Sequence, residues 1–377
     1  TWTRLDVPAK VGDTTICLQQ QVDWEVGSAI IVTSTSHWHG YSHPTETEEH
    51  VVANVTNRGY CLILESPLRH DHRAYTYHST GLEDPESKDF RDRRWIDMRA
   101  EVALLSHNIL VQGDDDSVYP AEYGVQLHVH SHGHESSIVR IENIEMRRAG
   151  QQGRKGRFPM FFHRIGYLRK SYVRQCGIHH AYNRGIVLDQ VHGLRIQEVV
   201  VFETVGHTMF LQTGAEIANV FSNNLVAMTR EGGLLNTELT PASFHFANLN
   251  NVVRGNAAAG AHGYGFWYSP TPDEFVDAFS VKVCPHSTII RDFTDNTAHS
   301  NAFGGMAIFP MDKMALIPLY DQCDKKESGF GENVFNGFTA YNNLGFGVKV
   351  FAAVANLQFH RFKLFNNTRI AMELPKK

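Results

Sequence analysis

The chain has 377 residues, with 35 Lys and Arg against 40 Asp and Glu, for a formal net charge of −5. That balance excludes the basic footprint of a nucleic-acid-binding protein, and no apolar run approaches the roughly 20 residues that a membrane-spanning helix needs. A single globular core of this length is unusual, whereas a solenoid grows by adding rungs without such a limit.

The chain opens Thr1-Trp2-Thr3-Arg4-Leu5, with neither a basic start nor an apolar h-region, so it is expected to begin in mid-protein or after processing. Residues 1–110 are β-rich but irregular. Stretches 28–33 and 60–64 read as strands, and the charged segment 71–94 is expected to loop out. Cys17 and Cys61 each sit in a strand-like run and are one candidate disulfide if the protein is secreted. Cys284 and Cys323, in loop-rich stretches, are the other, which leaves Cys176 buried. No C-x-x-C pair occurs, which argues against a structural zinc knuckle. Two sequons mark Asn54 and Asn366 as candidate glycosylation sites and fit an extracellular or cell-surface protein.

Rung-like sequence starts at Asn108-Ile109-Leu110-Val111, giving an expected division into irregular β-rich rungs over 1–110 and a solenoid over 111–377. Asp114-Asp115-Asp116 offers oxygen ligands to calcium but lacks the spacing and distal Glu of an EF-hand, so a solvated turn is the simpler reading. His128, His130, His132 and His134, followed by Glu135, share one face if the segment is extended. Such a face either binds a divalent transition metal or forms an exposed polar edge, and His37 and His39 leave the same two readings open. Arg147, Arg148, Arg154, Lys155 and Arg157 form either a solvated basic loop or a glycan-binding patch.

An internal repeat follows. Val173, Ile178, Ile186 and Leu188 recur 23 residues later as Ile196, Val201, Met209 and Leu211. The next step places Val220 and Leu225 24 residues after Ile196 and Val201. Near the C-terminus Phe338, Asn343, Val348 and Val350 recur 24 later as Phe362, Asn367, Met372 and Leu374. The units are short, β-branched and alternating, as in Phe346, Val348 and Val350, and Gly and Asn punctuate their ends. This pattern predicts an all-β fold, a right-handed parallel β-helix with loop insertions, interrupted from 269 to about 281 after Ser269-Pro270-Thr271-Pro272. Asn343 and Asn367 at equivalent corners are expected to stack their amides from rung to rung.

Several stretches resemble the β-helix region of the family containing fibrocystin-L, transmembrane protein 2 and the cell migration-inducing hyaluronidase. They include Trp2-Thr3-Arg4-Leu5, Asp23-Trp24-Glu25-Val26-Gly27, Met98 through Ile109, Gly156-Arg157-Phe158-Pro159, Ile178 through Arg184 and Asn296-Thr297-Ala298-His299-Ser300. Leu234-Leu235-Asn236, Thr240-Pro241-Ala242 and Gly265-Phe266-Trp267-Tyr268 look closest to fibrocystin-L. The blocks follow in order over nearly the whole chain, and the resemblance implies a G8 domain upstream. It also implies His163, His207 and His299 as ligands of a divalent ion, zinc or another transition metal, with calcium disfavoured. These three histidines are then also the candidate catalytic residues of a metal-dependent enzyme acting on an acidic polysaccharide such as hyaluronan. Arg157 and Arg184 would position the anionic sugar, while Trp267 and Tyr268 would stack on it or else plug the solenoid.

The family pattern is incomplete here. Where relatives have His-Phe-His this chain has Phe161-Phe162-His163, and where they have Glu-Asp-Gly it has Gln212-Thr213-Gly214. Glycan hydrolysis needs paired carboxyl groups or a metal-activated water. Asp189 and Glu216 are the carboxylates left nearby in sequence. The first expectation is therefore a non-catalytic extracellular scaffold or recognition module for a glycan or a cell-surface protein; the alternative is a hyaluronidase-like enzyme.

Overall fold

The structure, a computed structural model, describes residues 1–38, 45–78, 95–119, 122–131, 137–269, 288–308, 332–351 and 357–375. From Ile109 the chain winds as a right-handed parallel β-helix. Each rung supplies three short strands, the first being Ile109–Gln112, Leu127–His130 and Arg140–Glu142. Stacked rungs pair in parallel into three sheets, here sheets 1, 2 and 3 in the order of those strands. Among the described residues they hold nine, nine and eight strands.

Local sequence makes the corners. Between sheets 3 and 1 each described rung turns on one left-handed residue, such as Asn143 (φ 53°), Asn223 (φ 53°) or Gly255 (φ 64°). For residues other than glycine this conformation costs roughly 1–2 kcal/mol, and the corners recover it through hydrogen bonds between rungs. Asn224 Nδ2 donates to Asn256 Oδ1 at 2.9 Å, and Asn256 Nδ2 donates to Asn296 Oδ1 at 3.0 Å. The same oxygens accept the backbone N–H groups of Asn224 and Asn256. At the corner between sheets 1 and 2, Asn301, Asn343 and Asn367 form a second ladder, with Asn343 Nδ2 donating to Asn367 Oδ1 at 2.8 Å. The expected stacking of Asn343 on Asn367 is thus present. Each ladder satisfies buried backbone groups that the tight turns would otherwise leave unpaired.

Alternate residues of each strand point inward, and these fill one continuous core that includes Val173, Ile196, Ile178, Val201, Phe266 and Tyr268. The 23-residue repeat is the rung register itself: Val173 pairs with Ile196, Ile178 with Val201 and Ile186 with Met209. The next step of the repeat needs correction by one residue. Ile196 pairs with Phe221 and Val201 with Val226, so Val220 and Leu225 lie on the outer face. Leu225 is apolar there because that face of sheet 1 is itself covered.

The cover is the N-terminal unit. Trp2–Arg4, Glu101–Leu104, Ala29–Val32, Glu48–Thr56, Cys61–Leu64 and Thr15–Cys17 form one sheet in that order. Their pairing is antiparallel, so these strands are not rungs of the solenoid. Alternating apolar residues look the same in either pairing sense, which is why the sequence pattern did not separate them. The segment expected to loop out contributes a strand, Thr76–His78, paired with Trp95–Asp97; residues 79–94 lie outside the described residues. The unit has its own core around Leu5, Ile16, Ile30, Val52 and Leu62, and a Cys17–Cys61 disulfide ties two of its strands. Ile31, Ala103 and Leu105 bury against Val200, Phe202, Leu225, Ala227 and Ala257 on the outside of sheet 1. Cys176 is a free, buried thiol that burial pushes up to about 11. The Cys284–Cys323 pairing falls outside the described residues.

Candidate functional site

With sheet 1 covered, sheet 2 presents the chemically richest outer face. One outward row runs His128, Phe161, Val187, Phe210, His245, Trp267, Ala307, Lys349 and Glu373 from rung to rung. Two residues further along, the first rungs place His130 level with His163, and His163 level with Asp189.

The three histidines expected to converge do not meet. His299 lies on sheet 1, fully buried, with Nε2 2.9 Å from Glu101 Oε2 and its ring stacked on Tyr341 at 4.6 Å. Glu101 belongs to the N-terminal unit, so this contact fastens that unit to the solenoid. Burial alone would raise the Glu101 carboxyl, but His299, Arg4 and Thr33 outweigh it and hold it at about 2. His207 precedes strand Met209–Leu211 of sheet 2 and is also fully buried. Its Nδ1 accepts the Ala242 N–H at 3.0 Å and its Nε2 lies 3.1 Å from Thr237 Oγ1. Burial, then His245 and Arg184, keep that imidazole neutral, well below its ordinary range. Both His207 nitrogens are therefore committed inside the fold. The physical reason for the correction is that the three residues occupy different strand positions and different sheets, which linear spacing does not reveal.

The expected sugar contacts divide in the same way. Tyr268 points into the solenoid core, because its strand neighbour Trp267 takes the outward direction. Trp267 is outward but covered, only 1% exposed among Ala242, Tyr264 and Ala307. Neither ring offers a face to a sugar. Arg184 is also buried: its Nε donates to Glu238 Oε1 at 2.5 Å, and its guanidinium lies 4.1 Å over the Phe210 ring. The turn around Glu238 brings Leu234 and Leu235 down onto Phe158, Phe161, Val187 and Phe210. Arg157 alone of the four is exposed, with Nη1 3.4 Å from Gln126 Oε1.

Of the remaining carboxylates, Glu216 is buried and accepts N–H groups from Gln190, Thr213 and Gly214 and the Thr213 hydroxyl, which makes it a turn-holding group. Burial pushes its carboxyl up to about 7 against those donors. Asp189 is different: one carboxylate oxygen is 3.5 Å from His163 Nε2 and 3.4 Å from the Gln212 amide nitrogen. Gln212 thus sits beside the carboxylate that faces His163.

The structure brings together a set that the sequence reading had split. His128 and His130 join His163 from the next rung, with one ring nitrogen of each within 4.8 Å of the others. His132, His134, Glu135 and His39 lie outside the described residues. Phe161 stacks on both His128 (4.8 Å) and His163 (5.1 Å). Burial, then Arg164, His130, His128 and Lys155, push the His163 imidazole down to about 4, so it is neutral at pH 7. Lys155 and Arg164 are exposed and act electrostatically on His163, and Arg157 is exposed against Gln126. The grouping was hidden because His130 and His163 are 33 residues apart, and the register shifts just after His163.

Other candidate positions are structural or peripheral. Asp114 caps the short helix Asp115–Val118 by accepting from Ser117 N–H, and Asp115 pairs with Arg148, as a solvated turn requires. Asn54 and Asn366 are both exposed, and Asn366 Nδ2 donates to Asn342 Oδ1 at 2.7 Å. Among the described residues no helix is long and apolar enough to cross a membrane.

Residues 127–306 match the family described as the CEMIP beta-helix. The chain is 30% identical to mouse fibrocystin-L over 99% of its own length but only 9% of that protein. It is 33% identical to the cell surface hyaluronidase of Danio rerio, over 56% of this chain and 18% of that one. The solved tailspike of Pseudomonas phage phi297 aligns over 98% of this chain and 58% of its own, at 10% identity and a TM-score of 0.23, too low to bear on function.

Proposed function

Since residues 127–306 form a CEMIP beta-helix, we propose that this chain is an extracellular scaffold and recognition module whose sheet 2 binds an acidic glycan of the hyaluronan class near its first rungs. The observation that carries the reading is how the charged groups are divided. His207, His299, Arg184 and Glu216, which cleavage or substrate clamping would draw on, are buried and engaged within the fold. The cations Lys155, Arg157 and Arg164 are instead exposed, and Lys155 and Arg164 act electrostatically on His163. Exposed cations in the turn that leads into a rigid sheet suit a repeating polyanion, and charge-assisted hydrogen bonds supply both affinity and orientation. The relative named a cell surface hyaluronidase supports the glycan class and the extracellular setting. Where the family resemblance implies Glu and Asp, this chain has the uncharged Gln212 and Thr213, which supports binding over turnover.

The test is calorimetric binding of hyaluronan oligosaccharides, with a neutral dextran of equal length as control. Binding should weaken with salt and fall at least roughly tenfold in Lys155→Glu/Arg157→Glu. Equal binding of the neutral glycan defeats the acidic-glycan reading. Sustained release of new reducing ends or unsaturated products from hyaluronan defeats the scaffold reading.

A further inference from the structure

We propose that His128, His130 and His163 form a binding site for a divalent transition-metal cation on the outer face of sheet 2, with Asp189 as its compensating carboxylate. The argument starts from the backbone. Leu127–His130 and Met160–Tyr167 are adjacent parallel strands in which His130 is level with His163, and His128 lies two residues back on the same face. Parallel strands stand about 4.8 Å apart, so the sheet itself gathers three imidazoles on one face. One nitrogen from each lies within 4.8 Å of the others. Tetrahedral zinc, with Zn–N distances of about 2.0–2.1 Å, asks for nitrogens roughly 3.3 Å apart. His128 and His130 are exposed, so their rings can close that gap by small side-chain rotations while the strands stay fixed.

The surroundings favour the same reading. His130 Nδ1 donates to the His163 carbonyl at 3.1 Å, which fixes the orientation of the ring. A ligating histidine is typically oriented in this way by a carbonyl or carboxylate on its second nitrogen. Asp189 Oδ2, 3.5 Å from His163 Nε2, stands where the carboxylate of such a triad stands. Phe161 lies against His128 and His163 and gives the rings a flat apolar floor. Imidazole ligands select zinc, copper or nickel over calcium or magnesium, which take oxygen. Three protein ligands on an open face leave the solvent side for water or another donor. The site lies where the proposed glycan would bind, but it is tested with zinc alone, so failure of either reading leaves the other standing.

The test uses the untagged 377-residue chain, stripped with a chelator, dialysed against low-micromolar zinc chloride and assayed by mass spectrometry and zinc calorimetry. The expected result is about one zinc per chain, not displaced by excess calcium. His130→Ala and His163→Ala should each weaken binding at least roughly tenfold, since loss even of a group that only orients a ligand costs that much. His360→Ala, at an exposed histidine elsewhere on the solenoid, should bind as wild type does. Far-UV circular dichroism checks that each variant is folded, and His128→Ala, at an exposed position, supplies a further ligand variant. Absence of zinc from the wild type overturns the proposal, as does undiminished zinc in a folded variant lacking all three histidines.

Discussion

Glu101 is where the N-terminal unit is fastened to the solenoid, and Glu101→Gln tests that fastening. The carboxylate is fully buried, 2.9 Å from His299 Nε2, 2.8 Å from the Thr33 hydroxyl and 3.4 Å from Arg4 Nε. The folded protein holds it at about 2, against an ordinary value of 4.5. At about 1.4 kcal/mol per pH unit, that difference corresponds to about 3 kcal/mol of stability carried by the ionised form. The folded-state value is depressed, so the contribution is complete above about pH 4.5 and is lost as pH falls toward 2. Glutamine keeps the shape but removes the charge. Urea denaturation of both proteins at pH 7 should show the variant less stable by about 3 kcal/mol. Between pH 4.5 and 2 the two stabilities should converge, because the wild type is then protonated as well. A pH 7 difference below about 1 kcal/mol, or one that stays constant down to pH 2, refutes the assignment of Glu101 as an ionised latch.

Further perturbations address the sheet 2 cover, the corners and the disulfide. Glu238→Ala strands the buried Arg184 guanidinium and should cost roughly 3–5 kcal/mol in denaturant unfolding, whereas Arg184→Met/Glu238→Leu should recover part of it, because the Leu234 and Leu235 N–H groups still lose their acceptor. Asn256→Ala removes the acceptor of Asn224 N–H and the donor to Phe221 and Asn296, all buried, and should cost roughly 2–4 kcal/mol in the same assay. Asn256→Asp should not rescue it, because the carboxylate cannot donate. The Cys17–Cys61 disulfide spans a sequence separation of 44. Replacing both cysteines by serine should lower stability by about 4 kcal/mol by loop-closure entropy, seen as a shifted urea midpoint that reductant no longer moves.

The fold class was legible because a solenoid writes its register into the sequence. The spacing from Val173, Ile178 and Ile186 to Ile196, Val201 and Met209 is the rung-to-rung pairing of the three sheets. The amide ladder through Asn343 and Asn367 was legible for the same reason, since a corner that recurs at one period stacks identical side chains. The repeat read one residue short at Val220 and Leu225, because Leu225 is apolar for an external reason, the N-terminal unit packed against it.

What the sequence by itself determined is therefore the solenoid, its corners and the inward row of each strand, all of which follow from local periodicity. Only the tertiary structure decided which histidines share a place. His163 meets His128 and His130 across an insertion that breaks the period, while His207 is covered by the turn carrying Thr237 and Glu238, and His299 by the N-terminal unit. It also decided that Trp267 and Arg184 are buried, because the outer face of a rung is exposed or covered according to segments distant in sequence. Periodicity fixes the direction in which a side chain leaves its strand; what lies over that side is a long-range contact that no local pattern encodes.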